Sequence, residues 1–288
     1  MKKNNLTATL LLCLCLASCN RLDIKGMFFG SSPAANERFA ESRAYNEANG
    51  FETVHVRDNE YTVYVATDAH VASTAENIGK FVSGYLSDET AAPFAIFLGD
   101  ATDDKDSYGK FLRTVAPIGN EGRRLFCIPG NHDIFFGLWK EYIEAQKTAS
   151  YCFTVVTPSD GTDLFICLDS ASGTLGTDQR DWLGEIFSSA KGKYRRIIVL
   201  SHTHFFKRDN SQGHTSNFNQ EEGYELEKLF SDNGVSLVLS GHDHSFEETV
   251  FKNVRYLTLA AIADKEEDAY YYKITVNSRG TEWSEQPI

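Results

Sequence analysis

Aspartate, histidine and asparagine residues follow apolar segments of this chain in five short motifs. The motifs are Asp68-Ala69-His70, Gly99-Asp100-Ala101-Thr102-Asp103, Gly130-Asn131-His132-Asp133, His202, and Gly241-His242-Asp243-His244. Mixed carboxylate, amide and imidazole groups suit first-row divalent metals, whereas calcium and magnesium prefer oxygen alone. Because strand ends can converge at one edge of a sheet, the pattern predicts a metal site at such an edge.

The same blocks resemble the signature of the calcineurin-like metallophosphoesterase superfamily, which is D-x-H, G-D-x-x-D/N, G-N-H-D/E, a single His, and G-H-x-H. The resemblance runs from about Tyr61 to His244, with all five blocks in order. A single block would be a weak indication, but five in series are not expected by chance. The resemblance implies a four-layer α/β/β/α sandwich with two mixed β-sheets. It also implies a phosphoesterase that uses two divalent metal ions (Mn, Fe or Zn).

The resemblance assigns a role to each matching residue. Seven residues would hold the ions: Asp68, His70 and His244 the first, Asn131, His202 and His242 the second, and Asp100 both. His132 would face the leaving-group oxygen as a general acid or charge stabiliser, oriented by Asp133 through its other ring nitrogen. Asp103 would lie behind the ligands. The reaction would be attack of a metal-bridging hydroxide on a phosphomonoester or phosphodiester.

Two features bear on subclass and substrate. Purple acid phosphatases have a metal-binding tyrosine at the position of Asp103, so we expect no purple colour here. His204 shares a strand face with His202 and could either contact substrate or line the rim of the cleft. Lys207 and Arg208 could meet a phosphate, with a solvated charge pair as the alternative. They lie in the long segment 205–220, of a kind that often shapes substrate choice.

The N-terminus has the pattern of an export signal. Lys2 and Lys3 precede an apolar run of about a dozen residues, shorter than the ~20 that a membrane span needs. The run ends in Leu16-Ala17-Ser18-Cys19, which resembles a bacterial lipobox with Cys19 as the lipidated residue. An ordinary cleaved signal is the alternative. We expect an exported outer-membrane or periplasmic lipoprotein with a signal peptide at 1–18, a lipid-anchor tether and peripheral helix at 19–50, and the phosphoesterase domain at 51–288.

The charge of the chain limits its partners. The formal net charge is −12, and removal of residues 1–18 takes away two lysines and no acid, which gives −14. A negative protein repels nucleic acid and anionic membranes overall. We therefore expect a small phosphate ester as substrate, a membrane contact through the anchor alone, no nucleic acid and no obligate protein partner. The other thiols of the exported chain (Cys127, Cys152 and Cys167) lie in apolar stretches and are interpreted as buried and without a role.

Short apolar runs alternate with helix-like segments, which is typical of an α/β fold with strands buried on both faces. Runs without intervening helices at 151–157, 247–251, 254–260 and 270–276 predict that part of the sheet is antiparallel or mixed. Two other enzyme classes lack support, because the sequence contains no Gly-x-Ser-x-Gly elbow and no Gly-x-Gly-x-x-Gly loop opening a helix.

Two alternatives to an enzyme remain. A metal-dependent binding or sensing lipoprotein could retain the site without turnover. A structural envelope lipoprotein ranks last, because it would not need seven metal ligands. The pair His132-Asp133 favours the enzyme, since metal binding alone does not require it.

Overall fold

The computed structural model describes residues 32–135, 137–206 and 217–288. The helices are α1 (Ala35–Asn49), α2 (Glu76–Ser87), α3 (Lys105–Asn120), α4 (Asn131–Ile134), α5 (Trp139–Gln146), α6 (Gly176–Ala190) and α7 (Gln220–Asp232). The strands are β1 (Glu52–His55), β2 (Tyr61–Ala66), β3 (Phe94–Phe97), β4 (Arg124–Cys127), β5 (Tyr151–Val156), β6 (Thr162–Cys167), β7 (Arg196–Leu200), β8 (Leu237–Ser240), β9 (Glu247–Phe251), β10 (Val254–Thr258), β11 (Tyr270–Asn277) and β12 (Gly280–Pro287).

The strands form two mixed sheets. One has seven strands in the order β1-β5-β6-β7-β8-β10-β9, and the other has five in the order β12-β11-β2-β3-β4. Within the smaller sheet, β2, β3 and β4 are parallel neighbours, and within the larger one β7 and β8 are parallel neighbours. The carboxyl ends of these five strands carry the motifs, so the topology gathers the motifs at one edge of the molecule.

Strand β3 shows why the chain forms layers. All four of its residues are buried. Phe94 and Ile96 pack between the two sheets, while Ala95 and Phe97 pack against the helices outside. Helices α2, α3 and α5 cover the five-stranded sheet, and α6 and α7 cover the seven-stranded one. The result is the four-layer α/β/β/α sandwich with two mixed sheets that the sequence predicts, and the apolar strand runs are explained by burial on both faces.

Two strands were not predicted from the sequence, namely β1 and β12. In β1 only Val54 is buried, and β12 contains no buried residue. Each strand pairs on one side only, with β5 and β11 respectively. Edge strands of this kind carry many polar side chains and lack a continuous apolar run, so the criterion that found the buried strands misses them.

The three described cysteines are free and buried, as the sequence predicts. Burial raises the pKa values of the Cys127 and Cys152 thiols well above the usual range of a cysteine. A thiol that is protonated and enclosed is unreactive. The cysteines therefore contribute to packing.

Helix α1 belongs to the domain core, which corrects the prediction of a peripheral helix within a 19–50 tether region. Phe39 is buried and lies against Trp182 of α6, with ring centroids 5.6 Å apart. The Arg38 guanidinium is fully buried and donates to both carboxylate oxygens of Asp169, at 2.7 and 3.2 Å. The packed domain therefore begins near Pro33, whose carbonyl accepts a further Arg38 hydrogen bond, and not at residue 51.

The predicted signal peptide at 1–18, Cys19 and nearly all of the tether lie outside the described residues. Within residues 32–135, 137–206 and 217–288, no helix combines the length and apolarity needed to cross a membrane.

The substitution Arg38→Ala tests whether α1 is integral to the domain. Removal of one partner from a buried ion pair leaves the other charge uncompensated, which costs about 3–5 kcal/mol in the free energy of unfolding. Arg43→Ala is the matched control, because Arg43 lies in the same helix in a solvent-exposed pair with Glu47, and its loss should change the free energy of unfolding far less. The measurement is urea unfolding of each variant. Equal stabilities for the two variants would contradict the assignment.

Candidate metal centre

The carboxyl ends of five strands, three from the smaller sheet and two from the larger, meet at the edge of the molecule that carries the motifs. Asp68 and His70 follow β2, Asp100 follows β3, and Asn131 follows β4. From the larger sheet, His202 follows β7, and His242 and His244 follow β8. The seven predicted metal ligands are thus all placed at the carboxyl edge by the two sheets together, and neither sheet alone would supply them.

Several of these residues have an unusual backbone conformation. The φ angle is positive at five of the seven: Asp68 (53°), His70 (41°), Asp100 (57°), His242 (74°) and His244 (58°). Residues with a Cβ seldom adopt this left-handed region, and each instance costs on the order of 1–3 kcal/mol. The surrounding chain holds the conformation through backbone bonds such as Asp68 N to Gly99 O at 2.9 Å. The clustering of such residues marks this edge as a functional site.

A first cluster consists of Asp68, His70 and His244, whose ligand atoms lie within 4.8 Å of one another. Nε2 of His70 is 3.1 Å from Nε2 of His244. Asp68 Oδ1 is 3.8 Å from the first of these nitrogens and 3.4 Å from the second. Three electron-rich atoms therefore face one point.

A second cluster consists of Asn131, His202 and His242. Nε2 of His202 lies 3.2 Å from Asn131 Oδ1 and 3.3 Å from Nδ1 of His242. The side chain of His202 is fully buried. This cluster therefore offers two imidazole nitrogens and one amide oxygen.

The carboxylate of Asp100 lies between the two clusters. Its Oδ2 is 3.8 Å from His70 Nε2 of the first cluster and 3.4 Å from His202 Nε2 of the second. Its Oδ1 accepts the backbone N–H of His132 at 2.8 Å. The geometry fits a carboxylate shared by two ions.

The donor set fits metal ions, as one buried atom shows most directly. Asp68 Oδ2 accepts from Thr67 Oγ1 and from the backbone N–H of His242, at 2.6 and 2.9 Å. Asp68 Oδ1 is buried without a hydrogen-bond partner and points at the two imidazoles of its cluster. A buried polar atom normally has a partner, and a cation between these three atoms would provide it. The mixed carboxylate and imidazole donors of the clusters fit divalent metal ions.

The carboxylates shift the titration of the histidines when no ion is bound. Burial lowers the pKa of His70 and His202, but the carboxylates of Asp68 and Asp100 outweigh it and raise the two values to about 9 and about 10. Burial and the charge of His202 lower the pKa of His242 to about 4. Although burial alone raises the pKa of Asp68, the nearby imidazoles of His244 and His70 hold it well below its usual range. The carboxylates thus favour positive charge at this edge.

His132 lies beside both clusters, and its ring is oriented differently from the prediction. Its Nδ1 is 3.0 Å from Asp103 Oδ1, and the same oxygen is 2.5 Å from Nδ1 of His70. Asp133 instead accepts three backbone N–H groups, those of Gly130, Asp100 and Ala101, at 2.8 to 3.1 Å. The expectation that Asp133 orients the His132 ring is therefore corrected.

Asp103 takes the place that the prediction gave to Asp133 as the carboxylate beside the His132 ring. It also lies behind the ring of His70, on the side away from the first cluster. Asp133 fixes the loop that carries Asn131, and burial together with the charge of Asp100 raises its pKa to about 7.

Two residues at the centre were missed by the sequence reasoning. Glu266 Oε1 lies 3.3 Å from Nδ1 of His244, and the side-chain amide of Asn217 contacts Nε2 of His242. Glu266 is one acid among five charged residues at 264–268, and Asn217 lies in a segment without periodicity. No sequence pattern distinguishes either residue from its neighbours.

The three predicted substrate contacts have different outcomes. His204 is 2% exposed, and its ring stacks on that of His242 with centroids 5.6 Å apart. It therefore lies beneath a predicted ligand, neither open to substrate nor at the rim. Lys207 and Arg208 lie outside the described residues.

Two glycines of the motifs are required by close contacts. A Cβ at Gly130 would lie 2.1 Å from Asp100 Oδ1. At Gly241 it would lie 2.0 Å from Thr67 Oγ1 and 2.5 Å from Asp68 Oδ2. Both carboxylates of the site thus depend on a neighbour that has no side chain.

Comparison with known proteins agrees with the geometry. The family model described as calcineurin-like phosphoesterase matches residues 61–246. No curated protein matches the chain. A dimetal phosphatase from Danio rerio superposes with a TM-score of 0.57 at 13% identity, covering 79% of this chain and 96% of that one.

Two further solved structures share the fold. GAP50 from Plasmodium, described as the anchor in the inner membrane complex, gives a TM-score of 0.59 at 14% identity over 80% of this chain and 85% of its own. A purple acid phosphatase from yellow lupin (Lupinus luteus) gives 0.57 at 13% identity over 80% of this chain and 52% of its own. At such identities the likeness concerns the fold.

The two-sheet sandwich and its paired clusters of carboxylates and imidazoles define a metal-dependent phosphoester hydrolase. Because the family model covers well over half of the residues, the chain belongs to the calcineurin-like phosphoesterases.

The substitution Gly130→Ala should displace the Asp100 carboxylate, because the new Cβ cannot fit beside Oδ1. We expect a loss of about 1–3 kcal/mol in the free energy of unfolding, together with weaker metal binding. Thermal unfolding and metal analysis after dialysis would measure both effects. Gly184→Ala is the control, since its site in α6 is open and alanine is favoured in a helix interior by about 0.5–1 kcal/mol. A Gly130→Ala variant with unchanged melting and metal content would contradict the argument.

Proposed function

We propose that this protein is a two-metal phosphoesterase that hydrolyses a small phosphomonoester or phosphodiester outside the cytoplasm. One observation carries the proposal: the Asp100 carboxylate lies between two separate clusters, and a further imidazole, that of His132, lies with a ring nitrogen within 4.8 Å of ligand atoms of His70 and Asp100. The two clusters contain all seven predicted ligands without His132, so we assign this histidine to proton transfer.

The ligand chemistry gives the cofactor proposal. Nitrogen and oxygen donors are mixed in both clusters, which favours Mn, Fe or Zn over Mg or Ca. Two such ions would neutralise the phosphoryl oxygens and lower the pKa of a water molecule. No tyrosine occupies the position of Asp103, so the protein should lack the colour of the purple enzymes.

The chain itself supplies a proton at the leaving group. The His132 side chain is one-third exposed, and Asp103 lies beside its Nδ1. With Asp103 on the Nδ1 side of the ring, Nε2 is the nitrogen that would face a substrate. When the ester P–O bond breaks, Nε2 would give its proton to the departing oxygen.

The location is proposed from the predicted lipidation site at Cys19 and from the place where the N-terminal segment meets the domain. The Ser32 hydroxyl donates to the carbonyl of Ile134, two residues after His132, so the N-terminal segment enters the domain at the catalytic edge. Twelve residues separate Cys19 from Ser32 in the sequence, and a chain of that length can reach at most about 45 Å. A lipid on Cys19 would therefore hold the catalytic edge near a membrane surface, as expected of an outer-membrane or periplasmic lipoprotein.

The fold alone does not choose between turnover and a binding role, since the similar Plasmodium protein is described as an anchor. The choice rests on His132 and Asp103. A binding or sensing lipoprotein without turnover remains the alternative that an assay must exclude.

The function is tested by hydrolysis of p-nitrophenyl phosphate and bis-p-nitrophenyl phosphate with added Mn²⁺, Zn²⁺ or Fe²⁺. We expect metal-dependent turnover that falls about 10²–10⁴-fold in His132→Ala while both ions stay bound. Asp100→Asn should abolish turnover, and His55→Ala, which alters an exposed histidine on β1, should change nothing. The ratio of the two rates assigns the enzyme as a monoesterase or a diesterase.

Two results would count against this assignment. Loss of metal from His132→Ala would show that His132 is a ligand, and not the proton donor. Stoichiometric metal with no turnover of either ester, even in the wild type, would favour the binding role.

The anchor is tested by metabolic labelling with a radioactive fatty acid in a bacterial host. The wild type should incorporate label and fractionate with membranes, and Cys19→Ala should do neither. Cys15→Ala is the matched control within the predicted signal, and should label normally. Label that persists in Cys19→Ala would refute the anchor.

A further inference from the structure

Each histidine of the two clusters has one ring nitrogen turned toward the cluster and one turned away. For the first cluster, the nitrogens turned away meet carboxylates. Nδ1 of His70 is 2.5 Å from Asp103 Oδ1, and Nδ1 of His244 is 3.3 Å from Glu266 Oε1. Both histidines of this cluster are therefore backed by a negative charge.

In the second cluster the corresponding partners are neutral. Nδ1 of His202 lies 2.8 Å from the carbonyl oxygen of Leu98. His242 is reversed: its Nδ1 faces the cluster, and its Nε2 meets the side-chain amide of Asn217. An imidazole that binds metal through Nδ1 carries its proton on Nε2, and an amide receives that proton by presenting its oxygen.

The side chains that point into the two clusters also differ in charge, and again the first cluster is the more negative. The first cluster includes the carboxylate of Asp68, whose unpaired Oδ1 is fully buried, whereas the second has the neutral amide of Asn131 in the equivalent place. Asp100 is common to both. Counting the partners behind the rings, the first cluster has three carboxylates that the second lacks.

A carboxylate behind a histidine fixes the ring and makes its other nitrogen more basic, and loss of such a partner typically weakens metal binding 10–100-fold. We propose that Glu266 makes the first cluster the tighter of two unequal metal sites, and that the neutral Asn217 keeps the second the weaker. This inference rests on the proposed two-metal function. It predicts that the ions load in order, first cluster first, and that the second ion exchanges more readily.

The test is a calorimetric titration of chelator-stripped protein with Zn²⁺ in the presence of a competing chelator. The wild type should show two steps at least tenfold apart in affinity. Glu266→Gln should weaken the tighter step 10–100-fold and leave the weaker step unchanged. Glu267→Gln is the matched control, because it removes the same charge from an exposed neighbour and should titrate like the wild type.

A second variant tests the idea in the opposite direction. Asn217→Asp places a carboxylate behind His242, so the weaker step should strengthen about tenfold and the two steps should move together. Gln220→Glu adds the same charge three residues away at the exposed start of α7 and should leave both steps unchanged.

Several outcomes would overturn the inference. These are two equal steps in the wild type, equal weakening of both steps in Glu266→Gln, or no difference between Glu266→Gln and Glu267→Gln. The titration needs no turnover, so it is independent of the ester assay. Unequal binding without hydrolysis would leave the inference standing and remove the proposed function. Hydrolysis with two equal binding steps would do the reverse.

Discussion

The Asp100 carboxylate is almost fully buried beside a second buried carboxylate, that of Asp68, and the chain around them is arranged to keep both ionised. Burial of a charge is costly unless it is paired. Imidazole nitrogens from β2, β7 and β8 surround the two groups, and backbone N–H groups of His132 and His242 donate to them. The same arrangement leaves one Asp68 oxygen without a partner, which is why the edge is suited to a bound cation and not merely to a network of hydrogen bonds.

This concentration of charge has structural consequences beyond the ligands. Five ligand residues adopt left-handed backbone conformations, and Gly130 and Gly241 leave no room for a side chain next to the carboxylates. Asp133, held by three N–H groups, secures the turn below Asn131. Such conformations persist only where the surrounding structure over-determines them. The apolar layers between and outside the sheets supply that support, since they fix the strands from which the turns project.

The site divides its chemistry among groups with different surroundings. The buried clusters suit ion binding, and the partly exposed His132, next to Asp103, suits proton transfer at a leaving group. The charge around the clusters is itself uneven, because carboxylates stand behind the histidines of the first cluster and neutral groups behind those of the second. Proteins of this fold include phosphatases and a protein described as an anchor, so the site, and not the fold, carries the functional argument.

The sequence by itself determined the family, the layered α/β architecture and the seven residues that meet at the edge, because ligand types at the ends of buried strands form a local pattern. Tertiary structure decided what no local pattern contains. Asp103, and not Asp133, lies beside the His132 ring, His204 is packed under His242, and α1 is held in the core by the pair of Arg38 and Asp169. Each of these depends on how separate segments approach one another. Glu266 and Asn217 could not be predicted from the sequence for the same reason, since only the folded chain brings them next to the outer ring nitrogens of His244 and His242.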